Sequence, residues 1–146
     1  MSACERVRLT GVIDVTLPPD QAFKLFGPAG ERSATEGWVP VFPGAPTDAI
    51  QPGTVFTADL GGRHTTCVVV RNQPPTAIAY SVVTDGEWAG LITVTLDPSA
   101  EGSAATVSYD PTTLVPDANT RLRSFAAGYR RYLDRWQESL ARPGRG

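Results

Sequence analysis

The sequence predicts an α+β fold in which one curved antiparallel β-sheet wraps around a long C-terminal α-helix. Three observations predict it. Residues 117–141 have helical periodicity, most of residues 53–109 alternate as strands do, and the turns between those strands are short. Strands joined by turns of about two to six residues are antiparallel neighbours. A sheet that is apolar on one face needs a helix to cover that face.

The C-terminal helix is strongly amphipathic. At about 100° per residue, its apolar side chains fall within an arc of roughly 120°, the width of a core-facing stripe. We call one side of this stripe the aromatic edge, formed by Phe125, Tyr129, Tyr132 and Trp136. The other side is the aliphatic edge, formed by Leu122, Ala126, Leu133 and Leu140. The charged residues Arg123, Arg130, Arg131, Asp134, Arg135 and Glu138 point away. Ala126, Ala127 and Gly128 are small enough to leave space at mid-helix.

The N-terminal elements follow from alternation and from proline positions. Residues 7–17 alternate apolar and polar side chains, which predicts a half-buried strand. Pro18-Pro19 ends it and favours a short helix over Asp20–Phe26. A second short helix is predicted within residues 28–34. Residues 36–52, rich in Pro and Gly, are predicted to be an ordered loop that carries Trp38 and Phe42.

A run of strands bounded by turn residues follows. The predicted strands are Thr54–Leu60, His64–Arg71, Ala77–Val83, Trp88–Leu96 and Ala104–Asp110. Asp85-Gly86 is the strongest turn signal between them. The last helix is predicted to begin with Asp117 or Asn119 as its N-cap and to end before Pro143-Gly144.

Composition indicates one globular domain over residues 5–141, with 142–146 as a disordered tail. The net charge of −2 argues against a nucleic-acid groove, which needs a basic stripe. No stretch resembles a signal peptide or a membrane span. Cys4 and Cys67 lack metal-ligand spacing and are interpreted as free thiols in a reducing compartment, so a cytoplasmic protein is expected, as a monomer or a homodimer.

No residues form a recognisable catalytic or metal-binding constellation, and no cofactor is predicted. His64, beside a glycine turn, is expected at the surface, and Cys67 is expected to be a buried inert thiol. The acidic candidates for acid–base chemistry are Asp14, Asp59 and Glu87. Surface roles are favoured for all three.

Several short motifs, in order, resemble a known superfamily. They include Ile13-Asp14-Val15, Gly30-Glu31-Arg32, Gly37-Trp38, Pro52-Gly53-Thr54-Val55-Phe56 and Ala89-Gly90. Over residues 5 to 141 the chain resembles the START / polyketide-cyclase / birch-pollen-allergen superfamily (SRPBCC), and most closely its uncharacterised bacterial members. The resemblance implies a helix-grip fold with two short helices after the first strand.

The resemblance also implies a cavity between sheet and long helix that holds an apolar or amphipathic small molecule. The expected role is a non-catalytic carrier or sensor of a lipid, polyketide or aromatic metabolite. A cyclase or dehydratase and a protein-interaction module of the chaperone-activator type are the alternatives. The predicted ligand-binding residues are Trp38, Phe42, Phe56, Tyr80, Trp88, Tyr109, Phe125 and Tyr129.

Two departures from the bacterial pattern bear on the size of the cavity. Cys67 and Ser33-Ala34 occupy places where that group often has a tryptophan. If the missing rings line the cavity, this protein has a roomier one, and if they face outward the changes matter little.

Overall fold

The computed structural model describes residues 3–26, 51–60 and 63–141. Its strands are β1 Leu9–Val15, β2 Val55–Leu60, β3 Arg63–Gln73, β4 Ala77–Thr84, β5 Trp88–Ser99 and β6 Gly102–Thr113. Its α-helices are α1 Pro19–Ala22, α2 Asn119–Ala127 and α3 Tyr129–Ala141, and its 3₁₀ helices are Phe23–Phe26 and Pro116–Ala118. The second predicted short helix and the loop carrying Trp38 and Phe42 lie outside the described residues, as does the predicted tail.

The six strands form one antiparallel sheet in the order β1-β6-β5-β4-β3-β2. The predicted α+β class and the predicted strands are confirmed. The β5–β6 hairpin continues beyond its predicted length, pairing through Ser99 and Gly102. A register shift between Val69 and Arg71 interrupts the pairing of β3 with β4, and such irregularities increase local twist and bend a strand.

Alternation along the strands places one apolar face inward, as predicted. Val94, Leu96, Ala105 and Val107 are nearly or completely buried. Asp14 is exposed on the opposite side of β1. Because successive side chains of a strand point to opposite faces, these burial patterns define a concave inner face and a solvated outer face.

The C-terminal helix is interrupted, contrary to the prediction of one continuous helix. Gly128, with φ −97° and ψ 8°, separates α2 from α3. Glycine is a weak helix former, so the helical hydrogen-bond pattern distorts at this point. The Tyr132 N–H still donates to the Gly128 carbonyl at 2.9 Å, and the two segments therefore remain linked.

The predicted N-cap is also wrong. The residue at the N-cap of α2 is Ala118, which makes no side-chain capping bond. The Asn119 amide instead donates to the Ala3 carbonyl at 2.7 Å and accepts a hydrogen bond from Thr113 at 2.7 Å. Asn119 therefore ties the N-terminal segment and β6 to the start of the helix.

Leu133, on the aliphatic edge, packs on β1. Leu133 is completely buried against Gly11, where any β-carbon would overlap with Leu133 Cδ1. Arg130 donates to the Val12 carbonyl at 3.2 Å, and the Gln137 side chain accepts from the Asp14 N–H at 2.9 Å. Close approach of α3 to this strand therefore depends on a residue without a side chain. Within the described residues, no helix is long and apolar enough to cross a membrane.

Candidate functional site

A cavity of about 380 Å³ lies between the concave face of the sheet and the C-terminal helices. It is lined by Phe56, Arg63, Thr65, Cys67, Tyr80, Val82, Thr84, Glu87, Trp88, Ile92, Val107, Tyr109, Arg121, Phe125, Tyr129, Tyr132 and Trp136. All four residues of the aromatic edge are among them, whereas the described residues of the aliphatic edge are not. The two edges therefore face different surroundings.

Six of the eight predicted ligand-binding residues line this one cavity. They are Phe56, Tyr80, Trp88, Tyr109, Phe125 and Tyr129. Their role in ligand binding stays a prediction. Trp38 and Phe42 lie outside the described residues.

Phe125 lies at the centre of a group of aromatic rings that form one wall of the cavity, here called the aromatic wall. Its ring centroid lies 5.9 Å from those of Trp88, Tyr109 and Tyr129, and 5.6 Å from that of Tyr132. Most of these pairs meet edge to face, the arrangement that the ring quadrupole favours. The wall is therefore held by contacts among its own rings, without filling the cavity in front of it.

The hydroxyl groups of two cavity tyrosines donate to backbone carbonyls. The Tyr80 hydroxyl donates to the Phe26 carbonyl, and the Tyr129 hydroxyl donates to the Val107 carbonyl at 3.1 Å. Burial raises the pKa of Tyr129 to about 12. Burial also raises the pKa of Tyr109, an effect that the neighbouring Trp88 side chain opposes in part. Both phenols therefore stay protonated well above neutral pH, and Tyr129 acts as a hydrogen-bond donor.

One end of the cavity is polar, and its centre is Glu87, in the turn between β4 and β5. The Glu87 side chain is only 4% exposed. Arg121 Nε donates to both of its carboxylate oxygens at 2.8 Å, and Arg63 Nη1 lies 2.9 Å from Oε1. Beside this cluster, the hydroxyl groups of Thr65 and Thr84 are 3.2 Å apart. We call Arg63, Glu87 and Arg121 the charged cluster.

The expectation that Glu87 is a surface residue is wrong. A turn position suggested exposure, but two arginines from distant parts of the chain converge on the carboxylate and compensate its charge. Arg121 could have been found from the sequence, since it lies four residues before Phe125 and therefore on the same helical edge. No local signal marks Arg63 as its partner.

The other chemical candidates have simpler positions. His64 is exposed, as predicted, and Asp14 is exposed as well. The Asp59 side chain lies outside the described residues. Cys67 is a buried thiol that lines the cavity. Among the described residues, no group of three His, Cys, Asp or Glu side chains could hold a metal ion.

Comparisons with known proteins agree with this architecture. The protein-family model described as "Polyketide cyclase / dehydrase and lipid transport" matches residues 6–141. A search of curated proteins gives no significant match.

Solved structures share the fold at low sequence identity. Protein MLL2253 from Mesorhizobium loti is 15% identical with a TM-score of 0.70, covering 94% of this chain and 98% of that one. Major latex-like protein 151 from Panax ginseng is 16% identical with a TM-score of 0.68, covering 92% and 95%. DynU16, a protein in the dynemicin biosynthetic locus, is 20% identical with a TM-score of 0.62, covering 97% of this chain and 49% of that one. The curved sheet and C-terminal helices form the helix-grip fold.

Proposed function

Since this chain belongs to the polyketide cyclase / dehydrase and lipid transport family, within the SRPBCC superfamily, we propose that it binds an apolar or amphipathic small molecule as a carrier or sensor. The observation that carries this proposal is the cavity in front of the aromatic edge. Ligand sites are typically concave, largely apolar and provided with a few polar groups. This cavity has that combination, with aromatic walls and a charged cluster at one end.

The volume of the cavity supports a ligand rather than a structural water. Small-molecule pockets have volumes of about 300–1,000 Å³, and a water molecule takes up about 30 Å³. At about 380 Å³ the cavity belongs to the first class. Cys67 contributes to this space, because a thiol stands where a large aromatic side chain would occupy part of it.

The arrangement of polar groups favours binding over catalysis. The hydroxyl groups of Tyr80 and Tyr129 donate hydrogen bonds to backbone carbonyls. The Glu87 carboxylate accepts hydrogen bonds from Arg121 at both oxygens. Groups held in this way orient their neighbours and are poorly placed to exchange protons with a substrate.

The position of Tyr109 favours the second candidate function, that of a cyclase or dehydratase. Its phenol lines the cavity, and burial raises its pKa further above neutrality. A neutral phenol can donate to a substrate carbonyl and stabilise the negative charge that develops on its oxygen. An enzyme of this kind would lose turnover of a polyketide-like thioester in Tyr109→Phe while retaining its binding.

Thermal unfolding with neutral apolar probes tests the binding proposal. Decan-1-ol and Nile red are suitable probes. A ligand that binds only the folded state raises Tm by mass action, and at a concentration of about a hundred times Kd it raises the free energy of unfolding by about 2.7 kcal/mol. The matched variants are Cys67→Trp, which places a ring in the cavity, and Val70→Trp, which places one on the exposed side of β3.

We expect both probes to raise the Tm of the wild-type protein and of Val70→Trp, but not that of folded Cys67→Trp. No rise in Tm for the wild-type protein, or an equal rise in Cys67→Trp, would contradict the proposal.

A further inference from the structure

The charged cluster at the end of the cavity contains more positive than negative charge. Arg63 and Arg121 carry two positive charges, and Glu87 carries one negative charge. All three side chains line the cavity. The cluster therefore presents a net charge of +1 to whatever occupies this end.

Backbone hydrogen bonds hold the central residue of the cluster, Glu87, in place. The Glu87 N–H donates to the Thr84 carbonyl at 3.0 Å, and the Glu87 carbonyl accepts from the Leu114 N–H at 2.8 Å. These bonds fix Glu87 between the β4–β5 turn and the segment that follows β6. Its buried carboxylate in turn fixes Arg121 through the Nε contacts and Arg63 through Nη1.

Both arginines retain hydrogen-bonding capacity. A guanidinium has five N–H donors, and within the described residues Arg121 uses only Nε while Arg63 uses only Nη1. Their side chains are 47% and 49% exposed, so the remaining donors can reach solvent or a ligand. The planar fork of a guanidinium matches the geometry of an oxyanion.

A purely structural role accounts poorly for this arrangement. A single arginine would be enough to neutralise Glu87. For stability alone, an apolar residue at this position would avoid the free-energy cost of burying a carboxylate. The second arginine and the placement of both at the cavity end are explained if the cluster holds a ligand group.

We propose that the ligand of this cavity is an amphipathic monoanion whose oxyanion binds at Arg63 and Arg121, with its apolar body along the aromatic edge. This inference rests on the proposed function and specifies its ligand class. A carboxylate is the simplest group of this kind. Glu87 holds the two guanidinium groups in place and excludes a second negative charge from the site.

Three probes with apolar chains of about ten carbons and headgroups of different charge test the proposal: decanoate, decan-1-ol and decyltrimethylammonium. Binding can be followed by tryptophan fluorescence, since Trp88 and Trp136 line the cavity. We expect decanoate to bind about tenfold more tightly than decan-1-ol, as for one charge-assisted contact, and the cation to bind most weakly. Raising NaCl to about 0.5 M should weaken decanoate binding and leave decan-1-ol binding little changed.

The primary variant is Arg63→Gln, because it leaves the Glu87–Arg121 pair intact and removes the excess charge. It should abolish the preference for decanoate over decan-1-ol, and Arg63→Lys should restore part of it. Arg131→Gln, an exposed residue on α3, changes the net charge of the protein equally and should leave the preference unchanged.

The possible outcomes separate the two proposals. If decan-1-ol binds as tightly as decanoate, or if Arg63→Gln and Arg131→Gln behave alike, the anionic headgroup is wrong and the apolar binding function stands. If none of the three probes binds, both proposals fail.

Discussion

On the aliphatic edge of the C-terminal helices, Leu133 packs directly on β1, whereas the aromatic edge stands over a cavity of about 380 Å³. Both edges belong to one amphipathic stripe. On the aliphatic side, Gly11 lets α3 approach until Leu133 fills the interface. On the aromatic side, large rings brace one another above the concave face and leave the space in front of them open.

The difference shows that apolar periodicity alone does not distinguish a packed core from a binding site. Whether an apolar helix edge packs closely or borders a cavity depends on the strand surface opposite it and on the shape of its own side chains. Leucine against a glycine-bearing strand gives close packing, while interlocked rings opposite small residues such as Cys67 enclose a cavity.

The largest expected effect separates the two edges by truncation. Leu133→Ala should destabilise the protein by about 3 kcal/mol, because it leaves a void in a close-packed interface. Tyr132→Ala should cost about 1 kcal/mol or less, since this side chain is 41% exposed and already borders empty space. Urea unfolding measures both, and equal losses would show that the edges are energetically alike.

The next effect tests why α3 lies so close to β1. Gly11→Ala should destabilise the protein by about 1–3 kcal/mol through overpacking against Leu133. In a Leu133→Ala background the same change should cost much less, which gives a favourable coupling in a double-mutant cycle. If the stability losses of Gly11→Ala and Leu133→Ala are additive, overpacking between these two residues is not the cause of the loss in Gly11→Ala.

An alkaline titration tests the burial of the aromatic edge. The pKa of Tyr129 is raised from 10.0 to about 12, so the folded state holds this proton more tightly than the unfolded state does. Its contribution to stability is complete below pH 10 and is lost as the pH rises through about 12. Since burial also raises the pKa of Tyr109, phenolate absorbance of Tyr129→Phe should show one late-titrating group fewer than the wild-type protein. Identical titration curves would contradict this assignment.

The smallest effect concerns the break between α2 and α3. Gly128 is exposed, and a β-carbon there would meet only the Ser124 and Phe125 carbonyl oxygens, at 3.6 and 3.9 Å. Gly128→Ala should therefore stabilise the protein by up to about 1 kcal/mol without changing probe affinity. A loss of stability or of affinity would mean that the break itself positions the aromatic edge.

The sheet and its inner face could be predicted because alternation is a local property of each strand. Ile78, Tyr80 and Val82 alternate visibly, and all three are buried. The assignment of the aromatic edge followed from helical periodicity in the same way. Six predicted residues line one cavity for this reason.

The remaining features depend on contacts between distant segments. Glu87 is buried because Arg63 and Arg121 meet it from β3 and α2, which its turn position does not indicate. Asn119 bonds to Ala3 instead of capping the helix because the N-terminal segment passes beside it. The small residues at mid-helix do not open the cavity either, since Ala127 and Gly128 are exposed.

Methyl NMR during a decanoate titration tests the central claim most directly, because it reports on each face separately. If the ligand binds in front of the aromatic edge, the methyl signals of Val82, Ile92 and Val107 shift, and those of Leu122 and Leu133 do not. Shifts confined to Val12, Val70 and Leu91 on the outer face, with the cavity methyls unchanged, would contradict the account.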